Sequence, residues 1–201
     1  MESIYKRVSD CFERSLNGSA LDSNSREFLA IEAYIKWVGK DVAKNEHPKG
    51  SGIKIPELLN RAADPVHGKK IYTTNCERCH GSNGEGQINP EQNGYSYPPL
   101  WGNHSYNTGA GLYRLSNFAG FVQSNMPFNE ITHHNRLTNE EAWDLAAYVN
   151  SQPRPVFAEQ HDWPDVSKKP FDHPFGPYAD SFSEQQHKYG PFQPIIQSKK
   201  Q

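Results

Sequence analysis

Cys76-Glu77-Arg78-Cys79-His80 puts two thiols one helical turn apart with an imidazole directly behind them. This is the attachment spacing of a c-type haem: the thiols add to the two vinyl groups, and the histidine is carried beneath the ring to bind the iron. A bare C-x-x-C also suits a dithiol oxidoreductase or a zinc site. A structural zinc site wants a further ligand pair, such as a second C-x-x-C, which the sequence lacks. A dithiol enzyme has no role for the adjacent histidine. The residues therefore point to one covalently attached haem c, held by Cys76, Cys79 and His80, and to redox chemistry.

A second axial ligand is needed on the opposite face. Met126, followed by Pro127, is the one methionine besides Met1 and stands between two candidate helices. Its thioether is the donor that raises the potential of a histidine-bound haem. His104, His133 and His134 are the rival donors. The third cysteine, Cys11, has no partner of matching spacing. It reads as a small buried hydrophobe, as one half of an intermolecular disulfide, or as a ligand in its own right.

The elements that must carry these groups are helical. Asn24 to Val38 has Phe28, Ile31, Ile35 and Val38 at helical spacing, with Asn24 and Glu27 placed as a capping box. Asp64-Pro65 opens a helix that runs into the haem motif. Gly111 to Gln123 and Thr138 to Ser151 form two more amphipathic stretches, the latter capped by Thr138 and Glu141. Gly81 to Pro99 reads as a loop, and no strands are required. The predicted fold class is all-α, a class I cytochrome c-like domain.

The helix from Asn24 aligns without gaps with the helix from Thr138, Ala33-Tyr34-Ile35 falling on Ala147-Tyr148-Val149. The same alignment brings Met126 beside Cys11. Residues 1–39 are thus predicted to be the C-terminal remnant of a first cytochrome c domain, 40–60 a linker, 61–152 the haem domain, and 153–201 an irregular, Pro- and aromatic-rich wrap. The aromatic residues of that tail argue for order, and His161, His173 and His187 within it read as surface groups rather than ligands.

Composition agrees. With 201 residues, 35% of them hydrophobic, and a mean hydropathy of -0.85, the chain is core-poor, a deficit that a buried haem would fill. A formal charge of -2 with no basic run argues against nucleic acid. No apolar stretch is long enough for a membrane span. The N-terminus shows no signal peptide, although c-type haem attachment is expected outside the cytoplasmic membrane. The chain is thus read as a mature form, or as one that begins partway through a longer protein.

Four segments together resemble the dihaem thiosulfate dehydrogenases, also called tetrathionate reductases. They are Cys11-Phe12-Glu13-Arg14-Ser15-Leu16-Asn17-Gly18, Ala33-Tyr34-Ile35-Lys36-Trp37, Tyr97-Pro98-Pro99-Leu100-Trp101-Gly102 and Pro174-Phe175-Gly176-Pro177-Tyr178. The resemblance covers the family's later two-thirds. It implies a periplasmic oxidoreductase that joins two thiosulfates into tetrathionate, or runs the reverse, and exchanges electrons with a partner c-type cytochrome. It implies that Cys11 is the catalytic haem's axial ligand, that Arg14 and Ser15 hold sulfur oxyanions beside it, and that His80 and Met126 bind a relay haem. Asn125 stands where some relatives place a lysine. The first C-x-x-C-H of the family is absent from this sequence, so electron transfer through one haem ranks above catalysis by this chain alone.

Overall fold

The computed structural model describes residues 3–128, 136–159 and 162–199. The histidines at 133, 134 and 161 lie outside them.

Five helices frame the described residues. Helix α1 (Ile4–Asp10) is followed by a π-helical turn at Cys11–Ser15, and α2 spans Arg26–Val38. Helix α3 (Pro65–Asn75) packs on α6 (Asn139–Ser151), and α5 (Leu115–Asn125) packs on α6 from another side. The α3–α6 crossing is close because residue 68 is glycine: a Cβ there would stand 1.9 Å from the Asp144 carbonyl oxygen. Tyr72, Trp101 and Tyr148 fill the space beside it with ring centroids 5.0–5.7 Å apart. Ala142, Trp143, Leu145, Ala146, Ala147 and Val149 bury the core face of α6.

Several local predictions hold. The Asp64 side chain accepts from the Val66 N–H ahead of Pro65, and Thr138 and Glu141 form the reciprocal capping box of α6. Others shift. The cap of α2 is Ser25, whose hydroxyl accepts from Phe28 N–H, while Asn24 donates its N–H to Asp22 in the preceding turn. The two N-caps, Ser25 and Thr138, consequently stand one residue out of the register that aligns Tyr34 with Tyr148. The stretch from Gly111 divides into a 3₁₀ turn (Gly111–Tyr113) and α5. Helix α3 stops at Asn75, and the haem motif forms its own single turn, α4 (Glu77–His80).

The loop after His80 contains strands that the sequence reading did not require. β1 (Gln87–Asn89) pairs antiparallel with β2 (Gly94–Tyr97) through a turn in which Asn93 takes a left-handed φ of 49°. The reason is packing rather than strand propensity: Gly84 presses on the Trp101 ring and Gly86 on the backbone of Tyr97–Pro99, which leaves the hairpin as the compact way across.

Where the sequence predicts an irregular wrap, the described residues of the tail form α7 (Glu184–Tyr189) and α8 (Gln193–Ser198). Phe192 and Ile195 enter the core against Trp143, and Ala63 N–H donates to the Tyr189 carbonyl. Asp172, fully buried, accepts from the N–H and hydroxyl of Ser116 and pairs with Arg114, capping α5 from a distance in sequence. His173 and His187 are buried, not surface groups: His187 stacks on Tyr178 at 3.8 Å and bonds Phe171 and Asp180.

No helix of the described residues is long and apolar enough to cross a membrane.

Candidate functional site

Cys76 ends α3, and Cys79 and His80 sit on the turn that follows, with all three side chains part-buried. Both thiols are free rather than joined to each other. Burial, and then the neighbouring Cys79, push the Cys76 thiol up to about 12, the opposite of the shift that activates a dithiol for exchange.

His80 is held by its loop. Its Nδ1 lies 2.8 Å from the Pro98 carbonyl oxygen, an acceptor, so Nδ1 carries the proton and Nε2 is left as a bare lone pair. Burial lowers the His80 pKa against a smaller opposing effect of the Pro98 bond, favouring the neutral ring that a metal requires. Tyr72 donates its hydroxyl proton to the Gly81 carbonyl at 2.6 Å, tying the end of the motif back to α3.

Met126 follows α5. Pro127 excludes the helical conformation from the residue before it, and Met126 is accordingly extended at φ -121°, ψ 141°. It packs, as Cys76 does, against the main hydrophobic core. A tautomer-fixed imidazole, two free thiols on its turn and a thioether on the same core constitute a donor set that fits haem c. His104 lies in a turn of the loop before α5, and no hydrogen bond or ion pair holds it among the described residues.

Cys11, Arg14 and Ser15 lie elsewhere, on the π turn, in a cleft of about 680 Å³ that also takes Arg114, Glu159 and His173. The wide turn exposes Cys11 and Ser15. Arg14 points both nitrogens of its fork at Asp162, takes Asp10 on Nε at 3.0 Å, and lays its guanidinium over the Phe157 ring at 4.5 Å. The Asp162 bond raises its pKa, keeping it cationic. In the cleft wall His173 Nε2 meets Glu159 at 3.2 Å and accepts from Trp163 at 3.1 Å. Sequence reasoning missed Asp162, Glu159 and His173 as cleft residues and Phe157 as the ring under Arg14; only the aromatic density of the tail hinted that it packs on anything.

Residues 65–153 match the cytochrome c family. The thiosulfate dehydrogenase of Allochromatium vinosum is 41% identical over 157 residues, which are 78% of this chain and 56% of that protein. That of Psychrobacter arcticus is 40% identical over 167 residues, 82% of this chain and 49% of its own length. Among solved structures, the thiosulfate dehydrogenase TsdBA of Marichromatium purpuratum, in its "as isolated" form, superposes with a TM-score of 0.71 at 31% identity, covering 84% of this chain and 36% of that one. The chain spans about half the length of the curated relatives it matches.

Proposed function

Because the chain belongs to the thiosulfate dehydrogenase family of c-type cytochromes and binds haem c covalently, we propose that residues 61–152 relay single electrons to or from a partner c-type cytochrome in the periplasm. Cys76 and Cys79 carry the thioether bridges, and His80 Nε2 and the Met126 sulfur bind the iron. The iron so bound supplies a reversible one-electron couple. The observation that carries the reading is the His80–Pro98 bond at 2.8 Å: it fixes the tautomer that leaves Nε2 free, on the turn that bears both thiols.

A second reading, thiosulfate dehydrogenase activity by a longer polypeptide, is favoured by α1, the π turn and α2. Helix α2 exposes Leu29, Tyr34, Ile35, Trp37 and Val38, whereas its counterpart α6 buries nearly its whole length. An apolar face of that size needs cover, which the rest of a first haem domain in a longer polypeptide would supply. In the completed site Cys11 would hold the iron through its thiolate, and Ser15 and Arg14 would bind sulfur oxyanions, Arg14 exchanging Asp162 for the substrate. Joining two thiosulfates through one S–S bond releases two electrons, and the one-electron couple held by residues 61–152 would pass them singly to the partner cytochrome.

Expression of the chain with its upstream coding sequence tests both. The expected result is two haems per polypeptide and thiosulfate-dependent reduction of a c-type cytochrome by the long form, with one haem and no turnover for the chain alone. Turnover by the chain alone, or no second haem in the long form, overturns the division of roles.

A further inference from the structure

The π turn that presents Cys11 ends with carbonyls that nothing in the turn can satisfy. Leu16 N–H closes on the Cys11 carbonyl at 3.1 Å and Gly18 N–H on Phe12 at 2.9 Å, which uses the donors of the turn and leaves the Glu13 and Arg14 carbonyls open. One residue of the loop before α5 takes both. Asn107 Nδ2 donates to the Glu13 carbonyl at 2.8 Å, and its backbone N–H donates to the Arg14 carbonyl at 3.1 Å. The same Nδ2 also donates to Asn17 Oδ1 at 3.0 Å, where the chain turns left-handed at φ 50°.

Asn107 is itself held from both sides. It is 2% exposed, and its Oδ1 accepts from Gly109 N–H at 3.1 Å. The preceding Tyr106 donates to Asn150 of α6 at 2.7 Å. The following Thr108 donates its N–H to the Pro155 carbonyl and accepts at Oγ1 from Phe157 N–H at 2.9 Å, placing under Arg14 the ring on which that side chain rests. A π turn is a poorly stabilised local structure that persists where its surroundings fix it. Here the fixing comes from the haem domain and its tail.

We propose that Asn107 is a positioning residue for Cys11: by capping the Glu13 and Arg14 carbonyls it sets the turn that aims the Cys11 sulfur. The inference rests on the reading of Cys11 as an axial thiolate in the long form, and is separable from it. A satisfied amide whose donors reach this far along the chain is a template: removing the side chain leaves the Glu13 carbonyl, Asn17 Oδ1 and the Gly109 N–H without their partners, while the backbone bond to the Arg14 carbonyl remains.

The test uses two readouts. In the haem-loaded chain Cys76 and Cys79 are thioethers, so Cys11 is the free thiol; Asn107→Ala is expected to change its alkylation rate by iodoacetamide about fivefold or more, the factor for one lost hydrogen bond. In the long form the same variant is expected to lose at least half of the thiolate-ligated ferric signal in electron paramagnetic resonance, while the thioether-ligated haem keeps its absorption band. An unchanged alkylation rate together with an unchanged thiolate signal overturns the role of Asn107. A wild-type long form with no thiolate signal overturns the reading of Cys11, and the alkylation comparison then decides Asn107 by itself. Should Asn107→Ala fail to fold, Asn107→Asp keeps the size and the acceptor for Gly109, removes both Nδ2 donors, and is judged by the same outcomes.

Discussion

Gly68 on α3 and Asp144 on α6 meet without space for a methyl group, the Cβ of any other residue at 68 falling 1.9 Å from the Asp144 carbonyl oxygen and 2.8 Å from Tyr148 Cβ. Both obstacles are rigid parts of α6. Gly68→Ala is therefore expected to cost about 3 kcal/mol, the upper end for overpacking, although alanine is the better helix former. Denaturant unfolding of the haem-bound chain checks it, and a stability equal to wild type would contradict the crossing described.

The side chain of the same Asp144 is a pH-sensitive tie. It is fully buried, bonded to both terminal nitrogens of Arg61 at 2.8 and 2.9 Å, to Asp64 N–H at 2.7 Å and to His67 Nδ1 at 2.8 Å. Burial would raise its pKa, but these partners outweigh it and hold the carboxyl below its ordinary 3.8. A folded-state pKa below the unfolded one contributes stability above about pH 4 that drains as pH falls through the folded value. Arg61 is 43% exposed, so the pair is screened and the contribution is about 1 kcal/mol. Asp144→Asn should flatten the acid limb of a stability-against-pH curve by that amount; an unchanged limb speaks against the network.

What the sequence made legible was local. The Thr138/Glu141 box, the Asp64-Pro65 start and the thiol spacing at 76–79 each occupy a few consecutive residues whose chemistry dictates one structure. Two adjacent cap-type residues, Asn24 and Ser25, could not be ranked without the Asp22 turn. The strands at 87–97 carry no alternation because Gly84 and Gly86, pressed on Trp101 and Pro98, set their course. The π turn leaves no periodic mark, and its supports Asn107, Phe157 and Asp162 arrive from far along the chain.

The Pro98 carbonyl that orients His80 rides on that glycine contact. Gly86 has φ 73°, and a Cβ there would meet Tyr97 O at 2.4 Å and the Pro98 carbonyl carbon at 2.8 Å. Gly86→Ala is expected to displace the acceptor, accelerate exchange of the His80 ring N–H with solvent, and lower stability by about 1–3 kcal/mol. Nuclear magnetic resonance of the reduced protein follows that proton; undiminished protection would show that the bond does not depend on the loop.

Met126→Ala removes the thioether while leaving the extended residue that ends α5. The haem should remain covalently attached, lose the long-wavelength band of thioether-bound ferric iron, and fall in reduction potential, since methionine opposite histidine raises it. Retention of both the band and the potential would contradict the ligand role of Met126, whereas loss of the band with a lowered potential is the outcome expected.

The most direct measurement is the mass of the purified holo chain under denaturing conditions, before and after acid–acetone extraction. One haem surviving extraction in wild type, and none in the Cys76→Ala, Cys79→Ala double variant, is the predicted result. A chain that emerges at its bare polypeptide mass, or a double variant that still holds haem covalently, would contradict the attachment on which the account rests.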